Sequence, residues 1–167
     1  MPSFNIATER TICFLLRDIQ KDKKILLGLK KRGFGKGIYN GFGGKLEPGE
    51  SAEEAAVREL GEEAGVMTDK NELEKIALID FHFPYKEEWN QRVHVYFVYS
   101  WKGEPVETEE MKPEWFAVSR IPYDQLWDSD KRWLPLILKG KKIEAEFVWK
   151  EDNKTVDKYE LREATSL

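Results

Sequence analysis

The chain has 167 residues, of which 41% are hydrophobic and 35% charged, and its net charge is −4 at neutral pH. That length suffices for one domain with a sizeable core and is too short for two, so we predict a single domain over residues 1–167. With a pI near 5.4 the chain has no basic excess to neutralise a nucleic-acid backbone, which argues against a nucleic-acid polymer as partner. A small anionic substrate stays open, because metal ions and a few lysines or arginines can supply its counter-charge.

The single cysteine, Cys13, rules out an internal disulfide and suits a reducing compartment. Its apolar neighbours Ile12 and Phe14 predict a buried, unreactive thiol. We find no signal peptide at the N-terminus and no apolar run of the roughly 20 residues that a membrane helix needs. We therefore expect a cytoplasmic protein that does not enter a membrane.

The first third of the chain predicts a hairpin followed by a glycine-rich loop. Strands over Thr11–Leu16 and Lys24–Leu29 flank a polar turn, Asp18–Lys23. The next segment, Lys30–Gly37, combines four positive charges with three glycines. Glycine lets backbone N–H groups approach an anion closely, although a mobile surface loop is the alternative.

The stretch Gly44–Val66 specifies both ends of a helix. Ser51 is a good N-cap, and Glu54, three residues later, completes a capping box. Gly65 suits the left-handed conformation that ends a helix. We therefore predict a helix over Ser51–Ala64.

Three glutamates of this helix, Glu59, Glu62 and Glu63, fall within an arc of roughly 100°. Like charges at this spacing repel one another, and a hard divalent cation would turn that repulsion into binding, since carboxylates are preferred ligands of magnesium and manganese. The pattern indicates phosphoryl-transfer chemistry, with a solvated acidic face as the alternative. The predicted core face consists of apolar residues, namely Ala56, Val57, Leu60 and Ala64.

Arg58 adjoins this acidic cluster and has two conceivable roles. It can pair with a carboxylate and fix its rotamer, or it can bind a phosphate bidentately. We favour the first role.

Two β-rich segments, Glu74–Phe83 and Arg92–Trp101, predict strands of one sheet. His82 and His94 each alternate with apolar neighbours and have no second histidine or cysteine at metal-ligand spacing, so we interpret both as ordinary strand residues. The intervening polar loop, Pro84–Gln91, is a candidate rim for a pocket.

In the last third, an acidic turn over Thr108–Pro113 leads to a short predicted strand, Glu114–Val118. Trp127 then stands beside hydrogen-bonding groups, an arrangement that suits a purine because stacking contributes roughly 1 to 3 kcal/mol. A core tryptophan is the alternative. The remaining predicted elements are a helix and a hairpin, at Ser129–Lys139, Ile143–Lys150 and Thr155–Glu163.

The spacing around the predicted helix resembles the Nudix box of the Nudix hydrolases. The matching positions are Gly44, Glu50 and the run Arg58–Val66, which reads Arg-Glu-Leu-Gly-Glu-Glu-Ala-Gly-Val. The resemblance implies the Nudix fold, an α+β arrangement in which a mixed β-sheet lies between helices as an α/β/α sandwich. It also implies a hydrolase of diphosphate bonds that depends on magnesium, with manganese as an alternative.

Further segments resemble the branch of this family that hydrolyses oxidised purine nucleoside triphosphates. They are Gly28–Gly35, Asn40–Lys45, Glu110–Pro113, Trp115–Phe116, Ile121–Pro122 and Trp133–Leu136. The resemblance implies that 8-oxo-dGTP or 2-hydroxy-dATP is cleaved to the monophosphate and pyrophosphate, which sanitises the nucleotide pool.

The same resemblance implies three sets of site residues. The catalytic set is Glu59, Glu62, Glu63 and Arg58. The metal ligands are Glu59, Glu62, Glu63, Glu110 and the carbonyl of Gly43. The substrate-binding set is Thr11, Lys30, Phe34, Asn40, Phe42, Gly43, Gly44, Phe81, Trp127, Asp128 and Asp130.

One departure concerns Trp127-Asp128-Ser129-Asp130, where the family has Trp-Pro-Asp-Asp. Two adjacent aspartates can share a proton and so adapt to either oxidised base. Ser129 breaks that pair unless Asp128 takes its place, so the preferred base stays open.

Two alternative functions stay open. The first is a Nudix hydrolase of an unmodified dNTP or a dinucleoside polyphosphate, and the second is a non-catalytic nucleotide-binding module. We expect a monomer.

Overall fold

The computed structural model describes residues 4–19 and 21–167, with the side chain of Ile19 left out. The described strands are β1 (Thr8–Ile19), β2 (Asp22–Lys30), β3 (Tyr39–Asn40), β4 (Leu73–His82), β5 (Gln91–Val98), β6 (Met111–Ala117), β7 (Ile143–Trp149) and β8 (Val156–Glu163). The described α-helices are α1 (Ala52–Ala64) and α2 (Asp130–Leu138).

The strands form a mixed sheet in the order β3-β2-β1-β5-β4-β7-β8, and β6 pairs with β2 outside this path. The pairs β1–β5 and β4–β7 are parallel, whereas the other pairs are antiparallel. This order places β1, β5, β4 and β7 side by side, although β4 and β7 are far apart in the chain. The predicted mixed sheet is confirmed.

Each helix covers one face of the sheet. Successive strand residues point to opposite faces, so Cys13 and Leu15 of β1 pack in the cluster with Leu60 of α1, whereas Phe14 and Leu16 pack in the cluster with residues of α2. The result is the predicted α/β/α sandwich. Both predicted β-hairpins, β1–β2 and β7–β8, are also confirmed.

The two ends of α1 are those that the sequence specifies. Ser51 and Glu54 form the capping box, and Gly65 has a φ of 71° at the C-cap. Ala56, Leu60 and Ala64 are fully buried as predicted. Val57, however, is only half-buried.

Several element boundaries differ from the predictions. β1 continues to Ile19 and β2 begins at Asp22, so the hairpin turn is shorter than Asp18–Lys23, and Gln20 lies outside the described residues. β6 begins at Met111 because residues from Met111 to Ala117 all pair with β2. The longer ladders extend each strand beyond its apolar run.

Cys13 is fully buried, as predicted, and burial raises the pKa of its thiol well above the usual range. Within the described residues, neither helix is long and apolar enough to cross a membrane.

Candidate active site

Two glutamates of α1, Glu59 and Glu63, form a carboxylate pair beside the loop that enters the helix. Glu63 is 4% exposed, and burial together with the neighbouring charge of Glu59 raises its pKa well above the usual range. The charge of Lys30 and the backbone N–H of Gly43 act in the opposite direction. A buried pair of like charges is costly unless a proton or a cation separates them.

Two glycines bring this loop against the carboxylate pair. A Cβ on Gly44 would lie 2.5 Å from Oε1 of Glu59, and a Cβ on Gly43 would lie 1.7 Å from the carbonyl oxygen of Thr11. A residue larger than glycine at position 43 would push the loop away from the backbone of β1, whereas one at position 44 would displace the carboxylate of Glu59. Close approach of two backbones therefore requires glycine at position 43.

The donor set fits a hard divalent cation. The carboxylates of Glu59 and Glu63 meet beside the peptide of Gly43, whose N–H contacts Glu63. Magnesium and manganese bind carboxylate and carbonyl oxygens, and a cation would remove the repulsion inside the pair. Glu59, Glu63 and the Gly43 carbonyl are the residues that would hold it.

Arg58 fixes the position of Glu59. Its Nε and Nη2 donate to the two carboxylate oxygens of Glu50 at 2.8 and 2.9 Å, and its Nη1 donates to Glu59 at 2.9 Å. Its guanidinium lowers the pKa of Glu50 to about 2. The predicted pairing of Arg58 with a carboxylate is confirmed.

The other two predicted metal ligands lie outside the carboxylate pair. The side chain of Glu62 is 59% exposed and shares Nη1 of Arg58 at 3.3 Å. Glu110 binds cations instead: Lys30 Nζ at 3.3 Å and Arg32 Nε at 2.9 Å. Their roles as metal ligands stay predictions, because both carboxylates already have cationic partners.

An aromatic pocket lies on the side of β1 opposite to the carboxylate pair of α1. It is lined by apolar and aromatic side chains with a few polar groups: Ile12, Phe34, Asn40, Phe81, Phe83, Gln91, Val93, Trp127, Ser129, Asp130, Trp133 and Trp149. The walls come from β1, β3, β4, β5, β7, α2 and the loops before them. An apolar pocket with a small number of converging polar groups is typical of a ligand site.

Asp130 and Asn40 supply polar groups to this pocket. Oδ2 of Asp130 accepts from the backbone N–H of Trp127 at 3.2 Å, and Oδ1 accepts from the hydroxyl of Ser129 at 3.3 Å. Burial nevertheless raises the pKa of Asp130 to about 7. Oδ1 of Asn40 accepts from the N–H of Gly41 at 2.8 Å, which leaves its amide N–H groups for a ligand.

Phe34 covers Trp127. The two rings stack with centroids 5.3 Å apart and an interplanar angle of 22°, and Trp89 packs edge-on against Phe34. A base between them would need about twice a contact distance of roughly 3.5 Å. A base therefore cannot enter between these rings unless Phe34 moves. Of the loop predicted as a rim, Gln91 lines the aromatic pocket and Trp89 packs on Phe34.

A connecting cleft joins the aromatic pocket to the carboxylate pair. The residues that it adds to those shared with the pocket include Arg10, Thr11, Lys30, Gly43, Gly44 and Glu63. The hydroxyl of Thr11 is buried there, and no residue in the described part of the chain forms a hydrogen bond with it. Cationic side chains and backbone groups thus line the cleft between the aromatic pocket and α1.

Two predicted substrate residues lie elsewhere. Phe42 is fully buried in the cluster beneath α1, and its predicted substrate contact stays a prediction. Asp128 is absent from the described lining of the aromatic pocket, because its oxygens bind Val156 N at 2.9 Å and Lys131 Nζ at 3.0 Å. It therefore does not replace the missing partner of Asp130.

Comparisons with known proteins agree with this geometry. The family model described as "NUDIX domain" matches residues 8–137. The chain belongs to the Nudix family. Members of this family use a divalent metal ion, which fits the carboxylate pair on α1.

Two curated relatives carry the same name. The oxidized purine nucleoside triphosphate hydrolase of Mus musculus is 41% identical over 162 residues, covering 97% of this chain and all of the relative. Its namesake in Danio rerio is 47% identical over 120 residues, covering 72% of this chain and 75% of the relative.

A solved structure supports the Nudix fold. The crystal structure of a MutT protein from Bacillus halodurans superposes with a TM-score of 0.74 at 21% sequence identity. The match covers 92% of this chain and 97% of that one.

Several residues that line the aromatic pocket or the connecting cleft were not identified from the sequence. They are Arg10, Phe83, Gln91 and Trp149. Phe83 and Gln91 border the loop that was predicted to form a rim, which was the available signal for them. Nothing local marked Arg10 or Trp149, because their place depends on which strands become neighbours.

The structure also brings His82 next to carboxylates. Asp80 and His82 lie on one face of β4, and Glu146 pairs opposite Asp80 on β7. Potential ligand atoms of the three residues lie within 4.8 Å of one another. Asp80, however, already binds Arg92 through both oxygens at 2.8 and 2.9 Å. The sequence interpretation of His82 missed this cluster because it considered only histidine and cysteine.

Proposed function

We propose that this protein is a magnesium-dependent diphosphatase of oxidised purine nucleoside triphosphates, such as 8-oxo-dGTP or 2-hydroxy-dATP. The observation that carries the proposal is the continuity of three features: the aromatic pocket, the connecting cleft and the carboxylate pair. A planar base, a charged chain and a metal-bound phosphate would meet these features in that order. The names of the two curated relatives support the same substrate class.

The base would be held by stacking and by polar groups at its edge. Trp127 would offer an indole face once Phe34 moves off it, and Asn40 offers amide N–H groups to a purine oxygen or ring nitrogen. Asp130 has a pKa of about 7, so near neutral pH it can accept a hydrogen bond when ionised or donate one when protonated. One aspartate that exists in both forms can do part of the work of the missing pair.

The phosphate chain would follow the connecting cleft to α1. When bound at Glu59 and Glu63, magnesium would neutralise phosphate oxygens and lower the pKa of a water. The oxygen of a water molecule would form a new bond to phosphorus while the bond from that phosphorus to the bridging oxygen breaks. The bridging oxygen would keep the electron pair, and the water proton would pass to solvent. The products are a nucleoside monophosphate and pyrophosphate.

A nucleotide panel tests the proposal. Steady-state release of pyrophosphate would be measured for 8-oxo-dGTP, 2-hydroxy-dATP, dGTP and dATP, with a dinucleoside polyphosphate as a further substrate. We expect kcat/KM for at least one oxidised purine to exceed that of its unmodified parent by roughly tenfold or more. Equal rates on oxidised and unmodified nucleotides, or cleavage of the dinucleoside polyphosphate alone, would contradict the substrate class.

A metal series with the same panel tests the cofactor. Activity should disappear in EDTA and return with magnesium. Nucleotide binding without turnover at any magnesium or manganese concentration would identify the chain as a binding module instead.

A further inference from the structure

Arg10 of β1 is a partly buried cation in the connecting cleft. It lies among Thr11, Lys30, Gly43 and Glu63, between the aromatic pocket and α1. Its Nε is buried and has no hydrogen-bond partner among the described residues. Burial lowers the pKa of its guanidinium, whereas the charges of Glu59 and Glu63 raise it. The guanidinium therefore interacts electrostatically with the carboxylate pair without forming a hydrogen bond to it.

Two other cations near the carboxylate pair already have partners. Arg58 is bonded to Glu50 and Glu59, and Lys30 is bonded to Glu110. Across residues 4–19 and 21–167, the structure gives the guanidinium of Arg10 no hydrogen bond and no ion pair, only the ring of Phe34 at 5.9 Å from its Cζ. Withdrawing a charge from water without a partner is costly. An anionic ligand in the cleft would supply that partner.

We propose that Arg10 binds non-bridging oxygens of the substrate's triphosphate. The guanidinium suits this role because its planar N–H donors match two phosphate oxygens at once. Its position suits the role too, since it lies near Phe34, the ring stacked on Trp127, and faces the cleft that leads to Glu63. The inference rests on the proposed function and adds a substrate contact that no motif in the sequence indicates.

Binding measurements in EDTA separate this role from chemistry, because turnover needs a divalent ion. The probes are 8-oxo-dGTP, the phosphate-free nucleoside 8-oxo-deoxyguanosine, and inorganic tripolyphosphate, each titrated calorimetrically. Arg10→Gln should weaken 8-oxo-dGTP and tripolyphosphate by roughly 10- to 100-fold, as expected for loss of a charge-assisted contact. The affinity for the nucleoside should be unchanged.

Arg17 provides a matched control on the same strand. Its Nε is also buried without a hydrogen bond, but its guanidinium stacks on Trp115 at 3.9 Å, and it lies outside the described lining of the cleft. Arg17→Gln should leave all three affinities unchanged. Arg10→Lys should fall between wild type and Arg10→Gln, because lysine keeps the charge but not the fork.

Three results would overturn the inference. Equal losses for the nucleoside and the triphosphate would mean that Arg10 only supports the aromatic pocket. Unchanged binding with a higher magnesium requirement would mean that it only balances Glu59 and Glu63. Unchanged tripolyphosphate affinity in both Arg10 variants would exclude the contact. Tripolyphosphate carries no base, so this arm holds even if the nucleotide panel refutes the proposed substrate.

Discussion

The carboxylate pair and the aromatic pocket differ in how the chain builds them. Glu50, Arg58, Glu59 and Glu63 stand close together in sequence, and the bidentate Arg58–Glu50 pair spans eight positions. The aromatic pocket instead combines residues that are far apart in the chain, such as Asn40 of β3 and Trp149 of β7. The first region is local and charged, and the second is long-range and mostly apolar. Under the proposed function, cleavage would depend on one helix, whereas the choice of substrate would depend on how distant strands meet.

The largest expected effect comes from Glu63→Gln, which keeps the shape of the carboxylate pair and removes a charge. Turnover should fall by roughly a hundredfold or more, because the metal loses a charged ligand. The melting temperature should stay level or rise, since the repulsion with Glu59 disappears. Steady-state kinetics and thermal unfolding measure both effects.

Glu62→Gln on the same helix is the matched comparison. Its carboxylate is exposed and shares Arg58, so the loss should be smaller than for Glu63→Gln. Near-normal turnover of Glu63→Gln would refute the carboxylate pair as the metal site. A greater loss of turnover for Glu62→Gln than for Glu63→Gln would indicate that the metal site lies at the exposed Glu62.

The next largest effect should come from Trp127→Ala in the aromatic pocket. Base stacking contributes roughly 1 to 3 kcal/mol, so KM should rise by roughly 5- to 150-fold with a smaller change in kcat. Trp101→Ala is the control, because Trp101 stacks on Trp115 away from the pocket. An unchanged KM in Trp127→Ala would mean that Trp127 is a core residue, which the sequence left open.

What the sequence could predict follows the same division. Ser51, Glu54 and Gly65 define α1 through interactions with neighbours a few residues away, so local spacing suffices. Gln91 and Trp149 enter the aromatic pocket only because β5, β4 and β7 become neighbours. Local patterns carry no information on that order. The resemblance to the Nudix family supplied Asn40, Phe81 and Trp127 but could not anticipate Arg10.

Two predicted substrate residues, Phe42 and Asp128, lie outside the described lining of the aromatic pocket for a similar reason. Phe42 lies in the glycine-rich run that passes the cleft, but its side chain points into the core, where its backbone pairs with Cys13. Asp128 adjoins Trp127 in sequence, but its carboxylate caps Val156 of β8. Proximity in sequence to a site residue does not determine the direction of the side chain.

A smaller effect should appear as a pH dependence. The ordinary pKa of an aspartate is about 3.9, whereas that of Asp130 in the folded protein is about 7. Between these values the folded state holds a proton that the unfolded state has lost, so stability falls as pH rises through this range. Asp130→Asn should remove that fall. Melting temperatures from pH 4 to pH 8 for both proteins measure the difference.

Asp130 should also give the kinetics a pH dependence near 7. The neighbouring titratable group Tyr123 has its pKa raised by burial and by Asp130, so it stays neutral in this range. In wild type, kcat/KM for an oxidised purine should change near pH 7, and this change should be absent in Asp130→Asn. If the variant keeps the inflection, another group is responsible for it.

The smallest effect concerns the C-cap of α1 and should leave activity intact. Gly65 has a φ of 71°, and a Cβ there would lie 2.9 Å from Cγ2 of Val106, so Gly65→Ala should cost about 1 kcal/mol of unfolding free energy. Gly61→Ala is its matched control. A Cβ at that helical position meets only the carbonyl of Val66 at 3.9 Å. Alanine is the better helix former there, so stability should rise by about 0.5 to 1 kcal/mol. Urea unfolding should therefore move in opposite directions for the two variants, and a parallel shift would show that the left-handed cap is not what ends α1.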